Sequence, residues 1–183
     1  AARRLPLFAG GVTHETVAKI LFTSGSTGRP KGVRITHRGI ARLTRGIDWV
    51  SFRPGDKVAQ TSNAAFDATT YEIWSALLNG CVLIEIDRNT SLDPQALEDR
   101  LRVAHVDHLF LTTALFTRMA AQRPHMFANL RSLMTGGATA DVASFRAVLE
   151  AGPPLLLFNA YGPTETTVLG SVWTATQLPA DAV

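Results

Sequence analysis

The 183-residue sequence predicts an α/β fold, with a mostly parallel sheet flanked by helices. Short apolar runs alternate with stretches in which apolar residues recur at helical spacing, and the distinctive Gly-, Ser- and Thr-rich loops follow the apolar runs. Alternation at this spacing favours parallel strands, and ligands of such sheets bind at the carboxyl ends of the strands. Hydrophobic residues make up 46% and charged residues 18%, which is typical of a globular protein and excludes a disordered one.

Strands are expected where β-branched and other apolar residues cluster between turn residues. In chain order the expected strands cover residues 18–23, 56–61, 81–86, 108–111, 133–134 and 155–159. The third should be a buried strand, with Cys81 as a small buried residue in it. Since Cys81 is the only cysteine, it can form no internal disulfide and no cysteine metal cluster.

Helices are expected where apolar residues recur three or four positions apart after a capping residue. Thr36 caps the first, residues 69–79 form the second, Asp93 opens the third, and residues 114–122 and 141–150 form the last two. Their expected inward residues are Ile40, Leu43 and Ile47 in the first, Ile73, Trp74 and Leu77 in the second, and Leu97, Leu101 and Ala104 in the third. Gly80 supplies the left-handed residue that often ends a helix.

Positive charge is concentrated near the start, where residues 1–57 hold 11 Lys and Arg against 3 Asp and Glu. Arg38, Arg42 and Arg45 share one face of the first expected helix and could contact a nucleic acid. Because no aromatic platform or nucleic-acid fold signature accompanies them, we expect a solvated face and no nucleic-acid partner.

Apolar runs such as residues 81–84 and 155–158 are much shorter than the roughly 20 residues that cross a bilayer. The two arginines near the N-terminus precede too short an apolar run, interrupted by Pro6, to form a good signal peptide. We therefore expect no membrane partner and a cytoplasmic location.

Residues 23–32 combine three glycines, four hydroxyl side chains and two cations in ten positions. Glycine lets backbone N–H groups approach an anion, hydroxyls donate hydrogen bonds and Lys31 adds positive charge, so this loop suits a polyphosphate. A flexible surface turn is the structural alternative. A Walker-type loop is excluded because Pro30 precedes the lysine and Gly32 follows it.

Residues 159–165 follow an apolar run and form a second candidate nucleotide segment. Tyr161 offers a flat face to a base, Asn159 an amide for hydrogen bonding, and Glu165 a hard oxygen for Mg²⁺. The alternative is that Gly-Pro forms an ordinary turn and that the tyrosine is a core aromatic.

The order Ser-Gly-Ser-Thr-Gly-x-Pro-Lys-Gly at residues 24–32 resembles the phosphate loop of the adenylate-forming (AMP-binding) superfamily, which includes acyl-CoA synthetases, luciferases and peptide-synthetase adenylation domains. Tyr-Gly-Pro-Thr-Glu at residues 161–165 resembles a second motif of that family. The resemblance implies ATP and Mg²⁺ as cofactors, with Glu165 as metal ligand and Lys31, Thr164 and Glu165 as catalytic residues. The nucleotide contacts that it implies are Thr23, Ser24, Gly25, Ser26, Thr27, Gly28, Gly137, Ala138, Asn159, Tyr161 and Gly162.

Phe66-Asp67-Ala68 is similar to a third motif of the family. Asp67 could simply begin a helix. In amino-acid-activating members, however, the aspartate of this motif binds the α-ammonium group of the substrate. Counting from the motifs gives the substrate side-chain pocket as Ala68, Tyr71, Phe110, Met134, Gly136, Ala160, Val168 and Leu169. A pocket without charged groups favours a hydrophobic amino acid, because nothing in it would offset the desolvation of a charged one.

The resemblance therefore implies ATP-dependent formation of an aminoacyl-AMP by a nonribosomal peptide synthetase adenylation domain. The implied partners are the amino acid, the phosphopantetheine arm of a carrier protein, and neighbouring synthetase domains. It covers only the middle of a family member, since no Tyr/Phe-Arg-Thr-Gly-Asp segment and no C-terminal subdomain follow. We expect residues 1–183 to be a partial domain, inactive by itself. An acyl- or aryl-CoA synthetase and a noncatalytic nucleotide-binding module stay open as alternatives.

Overall fold

The computed structural model of the protein describes residues 11–24, 28–176 and 178. Within them the strands are Val17–Thr23 (β1), Lys31–Thr36 (β2), Lys57–Gln60 (β3), Val82–Glu85 (β4), His108–Thr112 (β5), Ser132–Gly136 (β6), Leu156–Tyr161 (β7) and Ser171–Thr174 (β8). The helices are His37–Thr44 (α1), Ala68–Leu78 (α2), Arg88–Leu92 (α3), Pro94–Ala104 (α4), Thr113–Gln122 (α5) and Val142–Ala151 (α6). Short 3₁₀ helices lie at Pro124–Phe127 and Thr164–Thr166.

The main sheet has the strand order β4-β3-β5-β6-β7-β8. The first five of these strands run parallel, which confirms the predicted fold class, and β8 pairs antiparallel with β7. Thr112, Gly136 and Ala160 lie side by side in the register of β5, β6 and β7. The loops that follow these strands therefore leave the sheet at one edge, where the site is expected.

Alternate residues of each strand point to opposite faces of the sheet, so two apolar clusters form. On β6, Leu133 belongs to the cluster covered by α4, α5 and α6, whereas Met134 belongs to the one covered by α1 and α2. The first cluster contains a group of three fully buried phenylalanines, namely Phe116, Phe127 and Phe145. The sheet is therefore the middle layer of three, as the alternating sequence predicts.

Side-chain caps define several helix starts as predicted. The Thr36 hydroxyl accepts from the backbone N–H of Gly39, and the Asp93 carboxylate accepts from the N–H of Ala96. Gly80 has φ +69° after α2, as expected for a residue that ends a helix. These contacts are local in sequence, which is why the sequence could predict them.

The prediction of which side chains of α2 point inward was wrong in part. Leu77 is 59% exposed, and Ile73 and Trp74 are only half-buried. The buried side chains include Glu72 and Ser75 instead. Glu72 is drawn inward by hydrogen bonds to the preceding loop, which turns the apolar residues of the helix partly outward.

The expected buried strand at residues 81–86 is β4, which lies at one edge of the sheet. Val82 is 47% exposed, and Cys81 is half-buried and precedes the strand, so both expectations were wrong. Strand order is a property of the tertiary structure, and an apolar run alone does not reveal it. The sequence analysis also missed β2, β8 and α3. Within the described part of the chain, no helix is both long enough and apolar enough to cross a membrane.

Candidate active site

The predicted phosphate loop connects two antiparallel strands. Thr23, the last residue of β1, pairs with Lys31, the first residue of β2, so residues 24–30 form the connection of a hairpin. Gly28 has φ +79°, a conformation that favours glycine. Lys31 is exposed at the end of the hairpin where the loop joins β2. Three residues of the predicted phosphate loop, Gly25, Ser26 and Thr27, lie outside the described residues.

An open cleft of about 600 Å³ lies where β6 and β7 end. It is lined by Gly137, Ala138, Thr139, Ala140, Asn159, Ala160, Tyr161, Gly162 and Pro163. Five residues that the resemblance assigned to the nucleotide therefore line a single cleft. Its volume lies in the range of small-molecule sites.

Tyr161 forms one wall of this cleft and is 73% exposed, so it is not a core aromatic. Its exposed ring offers a stacking face for a planar base. Gly137, which lines the same cleft, has φ +96°, and a Cβ built there would have nothing within 4 Å. The lining therefore combines small residues with one exposed aromatic ring, which fits a planar base.

Asp67 precedes α2 but does not cap it. Its backbone is in the right-handed helical region, and its side chain makes no capping hydrogen bond. The carboxylate instead accepts a hydrogen bond of 2.7 Å from the hydroxyl of Thr164, which is 97 positions away in sequence. Asp67 thus stands at the helix start, as the alternative expects, but its side chain joins the third motif to the second instead of capping the helix.

A cation also lies close to Asp67. Lys19 is on the inner face of β1, and its Nζ donates to the hydroxyl of Thr70 over 3.2 Å. Burial lowers the pKa of Lys19, and the negative charge of Asp67 opposes that shift. Sequence analysis missed this lysine because it belongs to none of the motifs.

The predicted side-chain pocket positions lie together. Ala68, Tyr71, Phe110, Met134, Ala160, Val168 and Leu169 all belong to the apolar cluster beneath α1 and α2. Gly136 adjoins them, because a Cβ built on it would lie 2.5 Å from the carbonyl oxygen of Ala160. Burial raises the pKa of Tyr71, whose phenol is therefore neutral at physiological pH.

Trp49 belongs to the same region but was not predicted. Its ring centroid lies 6.3 Å from that of Tyr71 and 5.4 Å from that of Phe158. It follows α1 in a segment without regular structure, so no periodic pattern could reveal its inward position.

The turn after Tyr161 carries the predicted metal ligand. Glu165 is exposed in the 3₁₀ helix Thr164–Thr166, and the two residues that follow this helix have left-handed backbones, with φ 59° at Thr167 and 70° at Val168. The guanidinium of Arg42 donates to the carbonyl oxygens of this turn. Arg38 and Arg42 are both exposed, as the predicted solvated face requires; Arg38 pairs with exposed Glu15, whereas Arg42 contacts the backbone of this turn.

A buried carboxyl holds the loop that leads to Asp67. Glu72 is 0% exposed, and its Oε1 lies within hydrogen-bonding distance of the backbone N–H and hydroxyl groups of Thr61 and Ser62. Burial raises the pKa of Glu72 to about 7, although these donors lower it in part. The only signal for this residue in the sequence was an acid among apolar helix positions.

Comparison with known proteins identifies the family. The family model described as AMP-binding enzyme matches residues 9–182. The chain belongs to the AMP-binding enzyme family. This confirms the resemblance that its motifs indicated.

Similar proteins of this AMP-binding family include large peptide synthetases. The chain is 42% identical over 164 residues to malpibaldin synthetase of Mortierella alpina and 41% identical over 155 residues to surfactin synthase subunit 2 of Bacillus subtilis. These matches cover 90% and 85% of this chain, but the chain spans only 3% and 4% of the length of those relatives.

Solved adenylation domains share the fold. PA1221, a nonribosomal peptide synthetase protein with adenylation and PCP domains, matches 96% of this chain with a TM-score of 0.81 and 38% identity, over 31% of its own length. The N-terminal subdomain of NpsA from Klebsiella oxytoca matches 90% with a TM-score of 0.79 and 30% identity, over 42% of its own length. The chain therefore has the fold of the N-terminal subdomain of these adenylation domains, and its sequence is similar to parts of peptide synthetases.

The residues present also fit the metal that this AMP-binding family implies. Among the described residues, no group of three or more His, Cys, Asp and Glu side chains could hold a metal ion. Mg²⁺ needs no such cage, because it is commonly held by one or two carboxylates together with water and substrate phosphates. The exposed carboxylate of Glu165, near the predicted nucleotide cleft, suits that role.

Proposed function

We propose that this AMP-binding sequence is part of a domain that activates an amino acid with a hydrophobic side chain as its adenylate. The observation that carries the proposal is the position of Asp67. Its carboxylate does not cap α2 and lies 2.7 Å from the hydroxyl of Thr164 in the nucleotide motif. The helix that follows Asp67 covers the apolar cluster. An α-ammonium group bound to Asp67 would place the neighbouring carboxylate of the substrate close to the nucleotide segment.

In the proposed reaction, a carboxylate oxygen of the amino acid attacks the α-phosphorus of ATP. A new O–P bond forms, the bond to pyrophosphate breaks, and the products are an aminoacyl adenylate and pyrophosphate. The residues of the chain align the two substrates and neutralise negative charge, so they need no covalent step. Lys31 and the hairpin loop would face the phosphates, Tyr161 would stack on adenine, and Asn159 would contact its amino group. Once a substrate ammonium occupies Asp67, the single hydroxyl hydrogen of Thr164 would turn from that carboxylate to a phosphate oxygen.

Mg²⁺ bound to Glu165 would supply further positive charge to the phosphates. The chain's own part is to hold that carboxylate on the turn next to Thr164.

The apolar cluster supports a hydrophobic side chain. The seven clustered pocket positions include one polar residue, Tyr71, whose raised pKa keeps it uncharged. A charged substrate side chain in this region would lose its hydration without gaining an ion pair. Leu169 and Val168 close the cluster on the side of the nucleotide turn.

A second candidate function is activation of a carboxylic acid that has no amino group. The position of Lys19 favours it, because its ammonium donates to Thr70 in the first turn of α2 and already places positive charge near the carboxylate that would bind a substrate ammonium. The NpsA subdomain has been solved with 3-hydroxyanthranilyl-AMSN and 3-hydroxybenzoyl-AMSN, so that protein binds ligands with aryl groups. A module that binds nucleotide without catalysis is the remaining alternative.

We further propose that the adenylate is passed to the phosphopantetheine thiol of a carrier protein, in a cytoplasmic synthetase that makes a secondary metabolite. PA1221 contains both an adenylation and a PCP domain, which supports this partner. Residues 1–183 would then be one part of the adenylation domain.

The test is amino-acid-dependent ATP–pyrophosphate exchange by the intact synthetase domain that carries this sequence. Hydrophobic amino acids should stimulate exchange more than Asp, Glu, Lys or Arg. Asp67→Ala should lower kcat/KM for the amino acid about 10- to 150-fold, which corresponds to the loss of one charged hydrogen bond. Asp99→Ala, at an exposed ion pair on α4, is the matched control and should change little.

Equal exchange with a deaminated acid and an unchanged Asp67→Ala variant would replace this proposal by the second candidate. The 183-residue chain should also produce no hydroxamate with ATP and the same amino acids. Robust hydroxamate formation by the purified chain would contradict the proposal that it is a partial domain.

A further inference from the structure

Arg42 joins helix α1 to the turn that carries Glu165. Its Nη2 donates to the carbonyl oxygen of Thr166 over 2.9 Å and to that of Leu169 over 2.8 Å. One guanidinium nitrogen carries two hydrogens, so a single group can make both bonds. These contacts span more than 120 positions in sequence.

The turn at residues 164–170 has a backbone that needs such support. Thr167 and Val168 have φ values of 59° and 70°, and this region is unfavourable for a β-branched residue. Strained residues of this kind persist only where the surrounding contacts hold them. Within the turn, the N–H of Gly170 donates to the carbonyl of Tyr161 over 2.8 Å, which ties its end to β7.

Helix α1 approaches the same turn closely through Gly39. A Cβ at this position would lie 2.6 Å from the hydroxyl oxygen of Thr167, so only glycine allows the observed distance. Helix α1 follows β2 directly, and β2 begins at Lys31. One short helix therefore connects the phosphate hairpin to the turn with the predicted metal ligand.

The turn also reaches the apolar side-chain pocket. Val168 and Leu169 belong to the apolar cluster, and Arg42 shares with Leu169 and Trp49 the lining of a cavity of about 190 Å³. A shift of the turn would thus displace Glu165 on one side and the pocket wall on the other.

We propose that Arg42 is a positioning residue that holds residues 164–170 through the carbonyls of Thr166 and Leu169, and so sets the nucleotide site and the side-chain pocket together. This role rests on the proposed function and assigns a part in it to a residue that lies outside the three family motifs. Arg38 on the same helix serves as a matched comparison, because its partner is the exposed carboxylate of Glu15.

The first experiment measures binding without turnover. The intact domain is titrated with Mg²⁺ and α,β-methylene-ATP, and the dissociation constant is compared for wild type, Arg42→Ala, Arg42→Lys and Arg38→Ala. Arg42→Ala should weaken binding about tenfold, because its two hydrogen bonds hold the turn and not the ligand itself, so only part of their free energy reaches the nucleotide. Arg42→Lys should recover part of the lost affinity. Added methylguanidine should restore part of the affinity in Arg42→Ala only. The dissociation constant of Arg38→Ala should stay within about twofold of wild type.

The second measurement is amino-acid selectivity in pyrophosphate exchange. Arg42→Ala should raise KM for the preferred amino acid more than it lowers kcat, and should reduce discrimination against smaller apolar ones. Thermal unfolding of each variant separates this role from general stability. A lower melting temperature with unchanged binding and unchanged selectivity would overturn the proposal, as would an equal loss in Arg38→Ala.

The two proposals fail in different ways. Nucleotide binding that depends on Arg42 in a domain that activates no amino acid would refute the proposed function and retain the role of Arg42. Normal amino-acid activation that is indifferent to Arg42→Ala would refute only the role of Arg42.

Discussion

The protonation of Glu72 should set part of the pH dependence of stability. Its carboxyl is fully buried, and its pKa is raised from 4.5 to about 7 by that burial. The hydroxyl of Thr61 lies 3.0 Å from the carbonyl of Phe110 and 3.2 Å from Glu72. Since this hydroxyl has one hydrogen, it cannot donate fully to both acceptors, so it offsets only part of the cost of burying a charged carboxylate, which agrees with the raised pKa.

The sign and size of the pH effect on the free energy of unfolding follow from the difference in proton binding between the folded and unfolded states. Between pH 4.5 and about 7 the folded state keeps the proton of Glu72 while the unfolded state loses it. The folded state is therefore favoured at low pH and loses stability as the pH rises through this window. A shift from 4.5 to about 7 corresponds to about 3 kcal/mol, all of it lost by about pH 8.

The assay is urea unfolding of wild type and Glu72→Gln at pH 5 and pH 8. Glutamine keeps an acceptor for the backbone N–H groups of Thr61 and Ser62 but does not titrate. The difference between the two proteins should change by about 2.5 kcal/mol between these pH values, since part of the effect is already lost at pH 5, and other titrating groups such as His108 cancel in that comparison. Glu150→Gln, at an exposed position, is the control. An equal pH dependence of wild type and Glu72→Gln would refute the reasoning.

Two further substitutions test the nucleotide cleft. Gly136→Ala should destabilise the domain by about 1–3 kcal/mol in urea unfolding, because its Cβ would lie 2.5 Å from the carbonyl oxygen of Ala160, whereas Gly46→Ala, with nothing within 4 Å of its Cβ, should change it by less than about 0.5 kcal/mol. Similar stability of both variants would contradict this close contact. Tyr161→Ala should weaken binding of α,β-methylene-ATP about 5- to 150-fold in a titration, through the loss of stacking, while Tyr161→Phe should bind nearly as wild type. Unchanged binding by Tyr161→Ala would place the base elsewhere.

Much of the fold was predictable because its signals are local. Thr36 and Asp93 cap helices through contacts three residues away, and Gly80 has the left-handed backbone expected after a helix. Strand order is not local, so the apolar run after Cys81 gave no sign that it forms the sheet edge. The inward face of α2 was predicted from apolar residues alone and failed where Glu72 is buried by hydrogen bonds.

The site was predictable where its residues form contiguous motifs. Asn159, Tyr161 and Gly162 line one cleft with Gly137, as the motif assignments required. The structure does not test their roles toward a ligand, so these stay predictions. Trp49 and Lys19 were missed because they belong to no motif and reach the site only through the packing of β1 and α1 around α2.

By itself, the sequence determined the parallel α/β class, the helix caps and the order of the family motifs, since these depend on neighbours a few positions apart. Only the tertiary structure decided that Asp67 meets Thr164, that Arg42 reaches the turn at residues 164–170, and that Glu72 is buried. Each of these contacts joins distant segments of the chain. They depend on how strands and helices are ordered in space, which fixes which side chains come close enough to form a hydrogen bond.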